Sequence, residues 1–160
     1  MRRKKKYPNE AKPDSLHESM LVGKFINRLM LDGKKSTAER VMYGALDEIK
    51  KISAKGGKDE DPVSTLELAI KNVSPMVEIR PRRVGGATYQ VPREVSQKRR
   101  LSLALRWMVG AARAKKGKPM AKKLADEIIL ATKNEGTAIK KKLDTHRMAE
   151  ANRAFAHFAW

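Results

Sequence analysis

The chain has 160 residues, with 36 Lys and Arg against 18 Asp and Glu, a formal net charge of +18 and 41% apolar residues. A charge of that size exceeds what solubility requires and works against a lone compact chain, so a polyanion, nucleic acid foremost, is the leading partner. The absence of cysteine excludes disulfides, a thiolate zinc site and a cysteine nucleophile, and no run of 18 apolar residues is present to span a membrane.

Residues 1–13 form a basic arm: Arg2, Arg3, Lys4, Lys5 and Lys6 are followed by Tyr7, Pro8 and Pro13. Such a segment has little to bury, so it reads as disordered when free and ordering on a polyanion. Residues 14–160 read as one folded domain. A first helix is predicted over Ser19–Leu31, with Leu21, Val22, Phe25, Ile26, Leu29 and Met30 on a broad apolar face and Lys24 and Arg28 away from it. Asp32-Gly33 ends it. Ser36-Thr37-Ala38-Glu39 has the form of a capping box opening a second helix to about Ile52, whose inward face is Val41, Ala45, Ile49 and Ile52. After the Gly56-Gly57 and Asp59-Glu60-Asp61 loop, Asp61 as N-cap and Pro62 at the first helical position start a third helix to about Val73.

Two β-prone arms, Val77–Val84 and Ala87–Val91, flank Gly85-Gly86, which can supply the positive φ of a tight hairpin turn. A two-residue loop sets Arg83 opposite Thr88 and Arg82 opposite Tyr89. Neither face is a clean apolar strip, so the ribbon over 76–91 reads as an arm. Arg80, Arg82 and Arg83 can fork onto phosphates or stack on bases, and Tyr89 lies among them as a stacking surface.

Pro92 is predicted to open a fourth helix, to about Ala114, with Arg93 beside its N-terminus. Leu101, Leu105, Met108 and Ala112 share one face, and Arg99, Arg106 and Arg113 lie nearly opposite. Lys115 and Lys116 begin a basic loop. Pro119 starts a fifth helix to about Asn134, with Ala121, Leu124, Ala125 and Ile128 inward. Gly136 stops it, and Thr137 caps a sixth over Ala138–Phe155. The expected fold is mainly α: a single domain of about six helices with a protruding two-stranded β-hairpin arm and a disordered basic N-terminal tail.

Enzyme signatures fail on inspection. Gly33-Lys34-Lys35-Ser36 has Arg28 where a P-loop needs its first glycine and Lys35 where it needs a hydroxyl, and Pro119 spoils Gly117-Lys118. His17, His146 and His157 have no metal-ligand spacing, and no nucleophile–base–orienter set stands out. No enzyme and no cofactor are expected.

Four segments in order resemble the bacterial-type small-subunit ribosomal protein seven family, nearly end to end. They are Lys24-Phe25-Ile26-Asn27 with Asp32-Gly33-Lys34-Lys35; the hairpin Arg82–Pro92; Arg106-Trp107; and Asp144–Asn152 running into Ala154-Phe155-Ala156-His157. The Phe158-Ala159-Trp160 end departs from the family's usual tyrosine and basic residue before tryptophan. The resemblance implies a ribosomal, cytoplasmic or organellar protein bound to small-subunit ribosomal RNA, helping to nucleate assembly of the head. It also implies a ribbon near the messenger RNA exit channel and exit-site tRNA, with small-subunit ribosomal protein eleven and other head proteins as neighbours. By motif it implicates Lys34, Lys35, Arg80, Arg82, Arg83, Arg93 and the arm Arg2–Lys6 in RNA contact.

A basic DNA-binding or architectural protein is the alternative, but cations lie on several elements rather than on one recognition helix. Membrane-surface binding would need a free amphipathic helix. The first helix alone qualifies, and the core explains its apolar face.

Overall fold

The structure, a computed structural model, describes residues 12–55 and 61–159. The basic arm Arg2–Lys6 and the acidic Asp59-Glu60 lie outside the described residues. In chain order the elements are α1 (Met20–Leu29), α2 (Lys35–Lys55), α3 (Pro62–Val73), β1 (Val77–Val84), β2 (Ala87–Glu94), α4 (Gln97–Ala114), α5 (Met120–Thr132), α6 (Thr137–Ala151) and a C-terminal 3-10 helix (Arg153–Phe158). α5 packs against α2, α3 and α4 at the centre of the domain. Phe25, Ile26, Met42, Leu46, Ile49, Leu66, Val73, Met108, Leu124 and Ile128 are fully buried there. Each recurs at helical spacing on its own element, which is why the core is legible as stripes.

Local chemistry sets most boundaries. Ser19 caps α1 by accepting from the Val22 N–H at 3.4 Å, and Asp61 caps α3 by accepting from the Ser64 N–H at 3.2 Å. Asp14, in the segment leading to α1, accepts from the N–H groups of Leu16, His17 and Ser19. Burial alone would raise the Asp14 carboxyl, but these bonds outweigh it and hold it below the ordinary aspartate value. At the end of α5, Asn134 takes φ 60° and the Glu135 N–H donates to Leu130 O at 2.8 Å, a left-handed stop that leaves α5 shorter than expected.

Several boundaries differ from the sequence reading. α2 begins at Lys35, so Ser36 sits inside its first turn and forms no capping box. Asp32 and Gly33, at φ 51° and 73°, turn the chain so tightly that the Ala38 N–H already donates to Lys34 O. Ile52 is 42% exposed, because the inward stripe of α2 runs through Met42, Ala45, Leu46 and Ile49 and stops there. Gly136 rather than Thr137 occupies the cap position of α6. The chain tightens into a 3-10 helix after Ala151 instead of continuing as α-helix to Phe155.

The largest difference is Pro92. It does not open α4 but pairs with Ile79 inside β2, and α4 starts at Gln97 after Ser96. The reason lies in the register. Gly85 and Gly86 both have positive φ, 56° and 89°, as a two-residue hairpin turn of this hand requires. Val84 and Ala87 close that turn, and hydrogen-bonded pairs then alternate with non-bonded ones. Pro81↔Gln90 and Ile79↔Pro92 both fall at non-bonded pairs, where a proline's missing N–H breaks no rung. The Val95 N–H donates to Met76 O at 3.0 Å, extending the ribbon one rung beyond β2.

Candidate nucleic-acid interface

The ribbon's tip is exposed apart from half-buried Val84, while its base is seated. Glu78, 8% exposed, takes the Arg80 Nε–H at 2.6 Å on Oε1 and the Arg99 Nε–H at 3.0 Å on Oε2, tying β1 to the first turn of α4. Burial would raise the Glu78 carboxyl, but the bonds and charges of Arg80 and Arg99 hold it below the ordinary glutamate value. Arg99 therefore holds the base of the arm to α4, while Arg80 braces Glu78 from within β1.

The other face-mates meet the C-terminus. Tyr89, read as a free stacking surface, has its ring 5.1 Å from that of Phe155 and 5.4 Å from that of Phe158. Arg82 donates from Nη1 to Phe158 O at 2.8 Å. Arg80, Arg82 and Arg93 line a cleft of about 220 Å³ closed by Phe158 and Ala159. This seat is built from residues distant in sequence, so it has no local signature. Arg83 and Arg93 are exposed.

His146 of α6 fastens the start of the ribbon. The Met76 N–H donates to its Nε2 at 3.1 Å, which puts the ring proton on Nδ1. Burial, then the charge of Lys142, lowers its pKa below the ordinary histidine value. The folded state thus resists the proton that the unfolded chain accepts near pH 6.5, so this contribution is full above that pH and shrinks as pH falls below it. We expect the melting temperature to fall between pH 7.5 and 5.5, and His146→Gln to flatten that part of the profile. An unchanged slope in the variant would remove His146 as its source.

A second group of cations lies between α1 and α4. Arg28, Arg106 and Arg113 line one cleft of about 330 Å³. Arg113 donates from Nη2 to Leu29 O at 3.1 Å, whereas Arg28 and Arg106 have no hydrogen-bonding or ion-pair partner among the described residues. Desolvation, and then the neighbouring Arg106 and Arg113, lower the Arg28 pKa below the ordinary arginine value. Three guanidiniums facing one another without a carboxylate are poised for an anion. The spacing of Arg106 and Arg113 was legible on α4. Arg28 was not, because only the α1–α4 crossing brings it to them.

Lys34 is exposed in the turn before α2, and Lys35 lies 3.8 Å from Glu39 in an exposed pair of little energetic weight. Lys115, in the basic loop after α4, puts Nζ 2.6 Å from Oε2 of fully buried Glu127. Lys116 is exposed and shares a cleft with Lys118 and Lys123. Among the described residues no group of His, Asp and Glu could hold a metal ion, and no helix is long and apolar enough to cross a membrane.

A sequence profile of the family described as Ribosomal protein S7p/S5e matches residues 1–153. The chain belongs to the ribosomal protein S7 family. It is 58% identical over 160 residues to the small ribosomal subunit protein uS7 of Thermotoga petrophila and, equally, to that of Thermotoga maritima, covering all of each chain. It is 57% identical over 153 residues to the uS7 of Dictyoglomus turgidum, covering 96% of this chain and 95% of the other. Membership of the S7 family makes the chain a constituent of the small ribosomal subunit, partnered by its RNA and proteins, and not an enzyme.

Proposed function

We propose that the chain is a structural RNA-binding protein that docks on one region of small-subunit ribosomal RNA and helps nucleate assembly of the head. In this reading the ribbon tip reaches toward the messenger exit channel and exit-site tRNA, and small-subunit ribosomal protein eleven is a neighbour. The observation that carries the reading is the convergence of Arg28, Arg106 and Arg113 in one cleft with no acidic group among them. Helix packing holds these cations in a fixed array. Phosphate neutralisation with counterion release supplies affinity, and RNA shape, splayed bases and 2′-hydroxyls supply specificity, since the A-form major groove is too narrow for a helix. Arg80, Arg83, Arg93, Lys34 and Lys116 extend the array, with Arg2–Lys6 as its N-terminal part.

The test is filter binding to small-subunit ribosomal RNA at moderate and high salt with excess tRNA and duplex DNA. Binding retained by one RNA region supports the reading; equal displacement by DNA overturns it. Arg83→Ala should lower the slope of log K against log salt by about 0.7–0.9 and leave the melting temperature unchanged, as expected for one lost phosphate contact at an exposed position. An unchanged slope would take Arg83 out of the interface.

A further inference from the structure

The arginine cleft does not stand alone. It shares Leu31 and Arg113 with a second cleft of about 410 Å³, whose walls include Leu29, Val41 and Met120 and whose rim carries Asp32, Lys34 and Thr37. One cleft is cationic, the other mainly apolar, and Arg113 stands on the wall between them, fixed by its bond to Leu29 O at 3.1 Å. On the cationic side Gly110 is exposed, and a Cβ there would meet nothing within 4 Å, so a backbone can come close. Leu31, on the shared wall, is 58% exposed although it is a large apolar side chain. The pairing of a phosphate-sized cationic site with an adjoining apolar slot matches one ligand, a nucleotide whose base has left its stack. A slot of this size lies within the roughly 300–1,000 Å³ range of small-ligand clefts.

We propose that the two clefts together seat one extruded RNA nucleotide, its phosphate among Arg28, Arg106 and Arg113 and its base against Leu31, Val41 and Met120. This rests on the RNA-binding reading above and deepens it. Asp32 and Thr37 then offer a carboxylate and a hydroxyl to the polar edge of the base, and Lys34 lies at the rim for the next phosphate.

The proposal separates charge from shape, and the intact protein bound to small-subunit ribosomal RNA can test both. If Arg28 and Arg106 serve the same phosphate, the Arg28→Ala/Arg106→Ala variant loses only one phosphate's worth of salt slope, about 0.7–0.9, rather than two. Thr37→Trp, at an exposed position, fills the apolar slot and should weaken binding about tenfold, the scale of one lost base contact, with the salt slope unchanged. Leu31→Trp fills it from the opposite wall and should do the same. The nucleotide seat is overturned if the double variant loses about twice that slope or none, or if both tryptophan variants bind like the wild type. Should duplex DNA displace the wild-type protein as well as ribosomal RNA does, the RNA-binding reading falls and the seat falls with it. Specific wild-type binding with indifferent variants sinks the seat alone.

Discussion

Replacing Glu127 by alanine should destabilise the domain by about 3–5 kcal/mol, the range for removing one partner of a buried ion pair. For a domain of this size that is a fall in melting temperature of roughly 6–20 °C. Glu127 is 0% exposed and serves two elements at once. Its Oε1 accepts from the Ala138 N–H at 2.9 Å, satisfying a donor at the start of α6 that Gly136 has no side chain to reach. Its Oε2 faces Lys115 Nζ from the α4–α5 loop at 2.6 Å, in the geometry of an ion pair. The alanine variant leaves the lysine without its counter-charge and the helix end without its cap. Glu127→Gln keeps an acceptor for Ala138 and should lose less. Thermal and urea melts would check both, and an alanine variant within about 1 kcal/mol of the wild type would overturn the assignment. Lys115→Met should likewise appear as lost stability and leave the RNA salt slope alone.

Tyr89→Ala should act on the ribbon rather than on the core. The ring's two aromatic contacts, with Phe155 and Phe158, are worth about 0.5–1.5 kcal/mol each beyond burial. Losing both frees the ribbon's outer half from the C-terminal 3-10 helix. Amide exchange around Arg82 and Tyr89 should accelerate roughly 5- to 150-fold, while the melting temperature of the helical core changes little. An arm that must be re-ordered on RNA binds more weakly, and the loss of affinity is bounded by the same factor. Tighter RNA binding by the variant would mean the opposite, that the C-terminal helix competes with RNA for Tyr89 and Arg82.

Local chemistry explains what could be read without the structure. The bounds of α3 follow from Asp61-Pro62, and the ribbon's register from Gly85-Gly86, because in each case a few adjacent residues decide the backbone. Pro92 misled for the same reason. Its fixed φ suits a helix start, and only the parity of the distant turn shows that the position is also harmless in a strand. Glu127 and Lys115 look like ordinary surface charges on and before a lysine-rich helix, and only the packing of α5 against α6 turns them inward. Among the cations, spacing on α4 revealed Arg106 and Arg113 as a set. Arg28, in contrast, lies on the polar side of α1 four residues from Lys24, and nothing in that spacing points to α4. Contacts between residues far apart in sequence left no trace that composition or periodicity could register.

The two prolines of the ribbon have a further consequence for the protein outside its particle. At non-bonded pairs the backbone groups point away from the partner strand, so Pro81 and Pro92 each remove a donor from an outer margin of the ribbon, one on β1 and one on β2. Both margins of a two-stranded sheet are open to recruiting a third strand from another molecule. With a donor missing on each, and Arg83 and Arg93 repelling their copies in a neighbouring chain, the ribbon is a poor template for chain-to-chain sheet growth. Both margins of the arm are therefore guarded against pairing with a second copy of the chain.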